Sequence, residues 1–123
     1  MAERILICDD EPSLRELMRI ALDGDYDFVE AESARQAIEI ARERPPDLLL
    51  LDVMMPGQSG LDVLEFVRSD PDLEGTPVVV VSAFSSEADR RAAVAAGANR
   101  FLAKPFEPDD LVSVVEELLQ ETR

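Results

Sequence analysis

Short apolar runs alternate along the chain with longer segments in which apolar residues recur every three or four positions. The runs cover residues 4–8, 26–30, 47–51, 77–81 and 100–103, and each has the length and the β-branched or leucine-rich content of a strand. Between them the spacing of Leu14, Leu17, Met18, Ala21 and Leu22, and of Ala34, Ala37, Ile38 and Ala41, is helical. Leu111, Val112, Val115, Leu118 and Leu119 mark a last helix of the same kind. Local signals agree: Ser33-x-x-Gln36 and Ser86-x-x-Asp89 have the form of capping boxes, and Pro108 suits a first helical position. Gly97, after an alanine-rich stretch, suits a left-handed helix end, and residues 71–77 with Gly75 read as a loop. Strands alternating with helices predict an α/β domain with a parallel sheet. The unbroken runs 48–51 and 78–81 place the central strands between two covered faces.

Composition sets the bounds. With 123 residues, 46% hydrophobic and 32% charged, the chain suits a single domain over 1–123 with an ordinary core. Its 12 Lys and Arg against 27 Asp and Glu leave a formal charge of −15, which repels phosphate backbones and anionic lipid. Neither direct nucleic-acid binding nor membrane binding by this domain is expected, and a basic or mixed protein partner is favoured. One cysteine, Cys8, and no histidine exclude a disulfide framework and a thiolate or imidazole zinc site. The opening from Met1 meets acids at Asp9 to Glu11 before any long apolar stretch, and no run reaches the roughly 18 residues of a membrane span. A reducing, cytoplasmic setting is the expectation.

Parallel strands joined by right-handed crossovers bring their C-terminal ends to one edge of the sheet, where ligands bind. The first strand runs into Asp9-Asp10, the third into Asp52, the fourth into Ser82 and the fifth into Lys104, the chain's one lysine. Asp52 follows four leucines, where an unpartnered carboxylate costs several kcal/mol. Three clustered acids raise one another's proton affinity unless a cation intervenes. Oxygen donors alone favour a hard ion, and a small carboxylate set leaving room for water and phosphate favours Mg²⁺ over Ca²⁺. A carboxylate, a divalent cation, an ammonium and a hydroxyl together suit phosphoryl transfer to Asp52, with Lys104 and Ser82 facing the equatorial oxygens.

The ordered set Asp9-Asp10-Glu11-Pro12, Asp52-Val53-Met54-Met55-Pro56-Gly57-x-x-Gly60, Val81-Ser82-Ala83 and Lys104-Pro105-Phe106 resembles the receiver domain of two-component response regulators, over essentially the whole chain. The resemblance implies a flavodoxin-like, doubly wound five-stranded sheet in the order 2-1-3-4-5 with helices on two faces. It implies that Asp52 takes a phosphoryl group from a phosphohistidine of a sensor histidine kinase or phosphotransfer protein. Asp10, Asp52 and the backbone carbonyl of Met54 are implied as direct ligands of one Mg²⁺, with Asp9 acting through water. Ser82 and Phe101 resemble the switch pair, and Lys104-Pro105 is implied to be a cis bond. The face of the fourth helix, fifth strand and fifth helix would report phosphorylation to a downstream protein or detached output domain, or support a phosphorylation-dependent homodimer. Such a module catalyses its own phosphorylation and hydrolysis with no external substrate besides the phosphodonor.

Plainer readings stand beside these. Residues 10–13 also suit a helix start, with Glu11 or Asp10 capping and Pro12 in the first turn. Ser82 alone reads equally as a turn residue, Phe101 alone as core, and Cys8 as core rather than ligand. Asp23, Asp25 and Asp27 read as solvated surface. A small aspartyl phosphatase would carry a second Asp at position 54, where this chain has Met. A mononucleotide binder would carry a Gly-rich first turn where this one is acidic. A degenerate receiver acting as a scaffold is the remaining alternative, against which the intact acid, hydroxyl and lysine set argues. Met54 and Phe84, each two residues past a site residue, are apolar and cannot orient an attacking water, so slow self-dephosphorylation is expected.

Overall fold

A computed structural model describes residues 2–24, 26–54 and 59–121. Met1, Asp25, which the sequence reading placed among the solvated acids, the motif residues Met55, Pro56 and Gly57, and the end at Thr122 and Arg123 lie outside them. The elements alternate without exception: β1 (Glu3–Cys8), α1 (Pro12–Ala21), β2 (Tyr26–Ala31), α2 (Ala34–Glu43), β3 (Leu48–Leu51), α3 (Gly60–Ser69), β4 (Val78–Ser82), α4 (Glu87–Ala95), β5 (Arg100–Ala103) and α5 (Pro108–Glu121). The strands form one parallel sheet in the order β2-β1-β3-β4-β5.

Strand limits differ from the sequence reading by a residue or so, for local reasons. Asp47 stands just outside β3 because it closes a turn onto β1: its side chain accepts the Arg4 N–H at 2.7 Å, and its own N–H donates to the Arg4 carbonyl at 2.8 Å. Pro77 has no N–H for the ladder, yet its carbonyl accepts from Leu49 at 3.0 Å. Ser82 belongs to β4 and pairs with Ala103.

Helix ends follow their signals. Ser86 and Asp89 form the full reciprocal box, whereas at α2 the Gln36 side chain reaches past Ser33 to accept from the Glu32 N–H at 2.8 Å. At α1 the N-cap is Glu11, and its side chain makes no cap bond. Pro12 begins that helix and Pro108 begins α5. Gly97 adopts φ +110° as the chain turns from α4 to β5.

Alternation along the central strands divides the core in two. Leu6, Cys8, Leu49, Leu51, Val78 and Val80 face Ala34, Ala37 and Ala41 of α2, Val63, Leu64 and Val67 of α3, and Ala93 of α4. Ile5, Ile7, Leu48, Leu50, Val79 and Val81 face Met18 of α1 and Leu111, Val115, Leu118 and Leu119 of α5. Leu17, which shares the helical spacing, is exposed, and so is Ile20. No described helix is long and apolar enough to cross a membrane.

Cys8 sits in the first of these layers with its thiol toward the Ser33 carbonyl, 3.6 Å away. Burial, reinforced by the charges of Asp9 and Asp52, pushes the thiol up to about 12. Because the thiolate is the reactive form, Cys8 is expected to stay unmodified by a disulfide reagent at mildly alkaline pH in the native protein and to react fully once unfolded. A colorimetric thiol assay with and without guanidinium checks this.

Candidate functional site

The sheet itself sets three of the site residues, because its ladder runs one residue past β1, β3 and β5. Asp9 N–H donates to the Ala31 carbonyl at 3.1 Å, Asp52 N–H to the Cys8 carbonyl at 2.9 Å, and Lys104 N–H to the Ser82 carbonyl at 2.9 Å. Two acids and the lysine are therefore held by backbone bonds from neighbouring strands before any side chain interacts. Among the described residues the buried polar side chains are Asp9, Asp52, Ser82 and Thr76, and three of these stand at this edge.

Carboxylate oxygens of Asp9, Asp10 and Asp52 lie within 4.8 Å of one another. The Lys104 ammonium bridges two of them, donating to Asp9 Oδ2 at 2.9 Å and to Asp52 Oδ2 at 3.3 Å. The other oxygens are also engaged: Asp9 Oδ1 accepts the Glu11 N–H at 2.9 Å, and Asp52 Oδ1 accepts the Met54 N–H at 2.9 Å. Asp52 is 4% exposed, and burial raises its pKa above the ordinary value, with Asp9 adding to the rise. The Met54 N–H and Lys104 pull in the opposite direction without cancelling it. For Lys104 burial works against the charge, but the bond to Asp9 and the charges of Asp52 and Asp9 outweigh it and hold the ammonium above its ordinary value. An all-oxygen acid set of this size, with one fixed ammonium against three carboxylates, fits a hard divalent cation.

Ser82 is fully buried, and its hydroxyl accepts the Phe84 N–H at 3.1 Å, which leaves the hydroxyl proton available to donate elsewhere. Met54 and Phe84 mirror each other. Each backbone N–H binds the side chain of the site residue two positions earlier, and their own side chains are 49% and 54% exposed. Phe101 is half-buried on β5, with the Arg90 guanidinium 4.8 Å from its ring centre. The Lys104–Pro105 peptide is cis.

Three features escape a reading of the sequence. Arg15 of α1 donates to the Asp9 carbonyl at 2.6 Å and to Glu30 of β2 at 2.9 Å. Arg90 caps the Phe101 ring across the α4–β5 packing. Gly60, present in the motif, meets the backbone of the third strand's end so closely that a Cβ would fall 2.5 Å from the Asp52 carbonyl oxygen and 2.5 Å from Val53 Cα.

The family model for the response regulator receiver domain matches residues 5–116, and the chain belongs to that family. It is 39% identical over 121 residues to the DNA-binding response regulator MtrA of Mycolicibacterium smegmatis, covering 98% of this chain and 52% of that protein. Identity to the phosphate regulon transcriptional regulatory protein PhoB of Pseudomonas aeruginosa is 34% over 123 residues, 99% of this chain and 54% of that one. The chain thus spans about half the length of these relatives. The chemotaxis protein CheY4 of Vibrio cholerae superposes with a TM-score of 0.90 at 27% identity, over 96% of this chain and 99% of that one.

Two outcomes follow from the geometry. A group whose pKa is raised on folding favours the protonated native state, so its stabilisation is present below the ordinary carboxylate range and lost as pH rises through the shifted value. Asp52→Asn is therefore expected to raise the metal-free melting temperature by roughly 3–6 °C at neutral pH, a gain of about 1 kcal/mol, and the gap from wild type is expected to close in acid. Calorimetry across pH checks both the size and the sign. Gly60→Ala forces backbone apart and is expected to cost about 1–3 kcal/mol, read from denaturant melts.

Proposed function

We propose that residues 1–123 form a single receiver domain in which Asp52 accepts a phosphoryl group from a phosphohistidine of a sensor histidine kinase or phosphotransfer protein. The observation that supports it is the meeting of Asp9, Asp10, Asp52 and Lys104 at the C-terminal edge of the sheet. An Asp52 carboxylate oxygen attacks phosphorus and the P–N bond to the donor imidazole breaks. The bonding electron pair returns to the imidazole nitrogen, and an acyl phosphate is left on Asp52. Lys104, already between Asp9 and Asp52, holds a positive charge where the phosphoryl oxygens arrive. Ser82 supplies its free hydroxyl proton to one of those oxygens.

Asp10, Asp52 and the backbone carbonyl of Met54 would hold Mg²⁺ directly, and Asp9 would act through water. When bound, the ion supplies charge neutralisation for the phosphoryl oxygens and relieves the repulsion among the acids. Ser82 and Phe101 form the switch: movement of the hydroxyl toward the phosphoryl group opens space into which the ring turns. The face of α4, β5 and α5 then presents the change to a downstream protein, a detached output domain or a second phosphorylated copy. DNA contact belongs to relatives such as MtrA as named, and the −15 charge of this chain disfavours it here. The setting is the cytoplasm.

Intact mass after incubation with Mg²⁺ and acetyl phosphate tests this reading. One added phosphoryl group is expected, dependent on Mg²⁺ and absent in Asp52→Asn. No gain from acetyl phosphate or from a phosphorylated donor protein would favour the scaffold alternative. The acyl phosphate is expected to decay slowly, because the exposed Met54 and Phe84 side chains flank the site without a polar group to orient water. Met54→Asn and Phe84→Glu are each expected to speed decay by about tenfold, less than the roughly 10²–10⁴-fold of a general acid or base because the introduced group only orients the water. Loss of the added mass over time measures it.

A further inference from the structure

Asp9 has a partner for every polar atom it carries. Its N–H goes to the Ala31 carbonyl, Oδ1 accepts from the Glu11 N–H and Oδ2 accepts from Lys104. Its carbonyl oxygen accepts from Arg15 Nη1 at 2.6 Å. That last bond differs in kind from the others. The Asp9 carbonyl belongs to the peptide plane shared with Asp10, so a donor fixed on it sets ψ of Asp9 and φ of Asp10 together. Those two angles determine where the chain carries the Asp10 carboxylate.

The donor is itself held. Arg15 has a side chain only 13% exposed, and its Nε binds Glu30 Oε1 at 2.9 Å on β2. Arg19, one turn further along α1, lies 3.0 Å from the other oxygen of Glu30. Glu30 is thus hydrogen-bonded by Arg15 and paired in charge with Arg19, and Arg15 spans from an edge strand to the peptide between the two acids with a rigid, forked donor. A surface ion pair would have no reason to send its second arm onto a buried backbone carbonyl.

We infer that Arg15 is a positioning residue for cation binding: through the Asp9 carbonyl it fixes the peptide plane that aims Asp10 into the acid cluster. The inference rests on the reading of that cluster as a Mg²⁺ site. Groups that orient metal ligands without touching the metal typically change affinity by 10- to 100-fold, and Arg15→Met is expected to weaken Mg²⁺ binding by about tenfold. Arg15→Lys, which keeps the charge and a donor for the carbonyl, is expected to stay within about threefold of wild type.

Isothermal titration with Mg²⁺ on the whole chain reads these affinities, and the metal-free ¹⁵N–¹H resonance of Asp10 reads the peptide plane itself. A shifted Asp10 resonance with weakened Mg²⁺ binding in Arg15→Met, both restored in Arg15→Lys, supports the inference. An Arg15→Met protein that melts lower but binds Mg²⁺ as wild type does would overturn it, leaving Arg15 as a brace for stability alone. If Arg15→Met does not fold, Glu30→Ala takes its place, since it releases Arg15 Nε from β2 and so loosens the guanidinium on the Asp9 carbonyl. Weakening by about threefold is then expected, and unchanged affinity overturns the inference. Wild type that binds no Mg²⁺ at all removes the reading of the acid cluster, and the inference with it.

Discussion

Three carboxylates occupy one small volume at the end of the sheet, and a single ammonium stands against them. At these separations like charges repel strongly, the more so where water is excluded, and burial alone disfavours the ionised form of Asp52. Lys104 reduces the excess by binding Asp9 and Asp52 together, yet one negative charge at least remains unmatched. The domain therefore tolerates a local electrostatic cost that its sheet and core must offset. Groups kept in this condition are suited to take up positive charge or a phosphoryl group, because either event relieves or redistributes what the fold holds in place.

What allows the cost to be borne is the order of strands. With β1 and β3 adjacent, Asp9 and Asp52 leave the sheet side by side, and with β5 at one edge its lysine reaches back across β4 to both. Ladder bonds from Asp9, Asp52 and Lys104 to neighbouring carbonyls remove the freedom to splay apart. Below them, leucine and valine alternate to fill both layers, so the strands cannot shift register without turning apolar side chains out of the core. Gly60 closes the arrangement from α3, giving the chain after Asp52 a backbone surface to rest on.

Much of this was legible in the sequence. The apolar runs are short and strongly β-forming or leucine-rich, so they located all five strands, while helical spacing marked α1, α2 and α5 and the Ser86 box and Gly97 marked the ends of α4. The acids, hydroxyl and lysine were legible because each follows a strand directly, and parallel topology turns that placement into proximity. Contacts between distant elements were not. Nothing in the spacing of Arg15, Glu30 and Arg19 indicates that one carboxylate is shared by two arginines across α1 and β2, since that depends on the tilt of the helix over the sheet. The box expected at Ser33 also diverged in detail: Gln36 is long enough to reach the Glu32 N–H, and the pattern cannot show which donor it prefers. Leu17 misled for a similar reason, because helical spacing marks a stripe without saying how wide a strip of it the sheet covers.

The excess of negative charge is the feature from which the rest follows, and cation binding is its most direct consequence. Thermal unfolding of the wild type and of Asp10→Asn across a Mg²⁺ titration measures it in one experiment, since an ion bound to the folded state alone raises the melting temperature with its concentration. The expected result is a steady rise for wild type and a nearly flat response for Asp10→Asn. A wild-type melting temperature indifferent to Mg²⁺, or an equal rise in the variant, would contradict the assignment of these acids as a cation site.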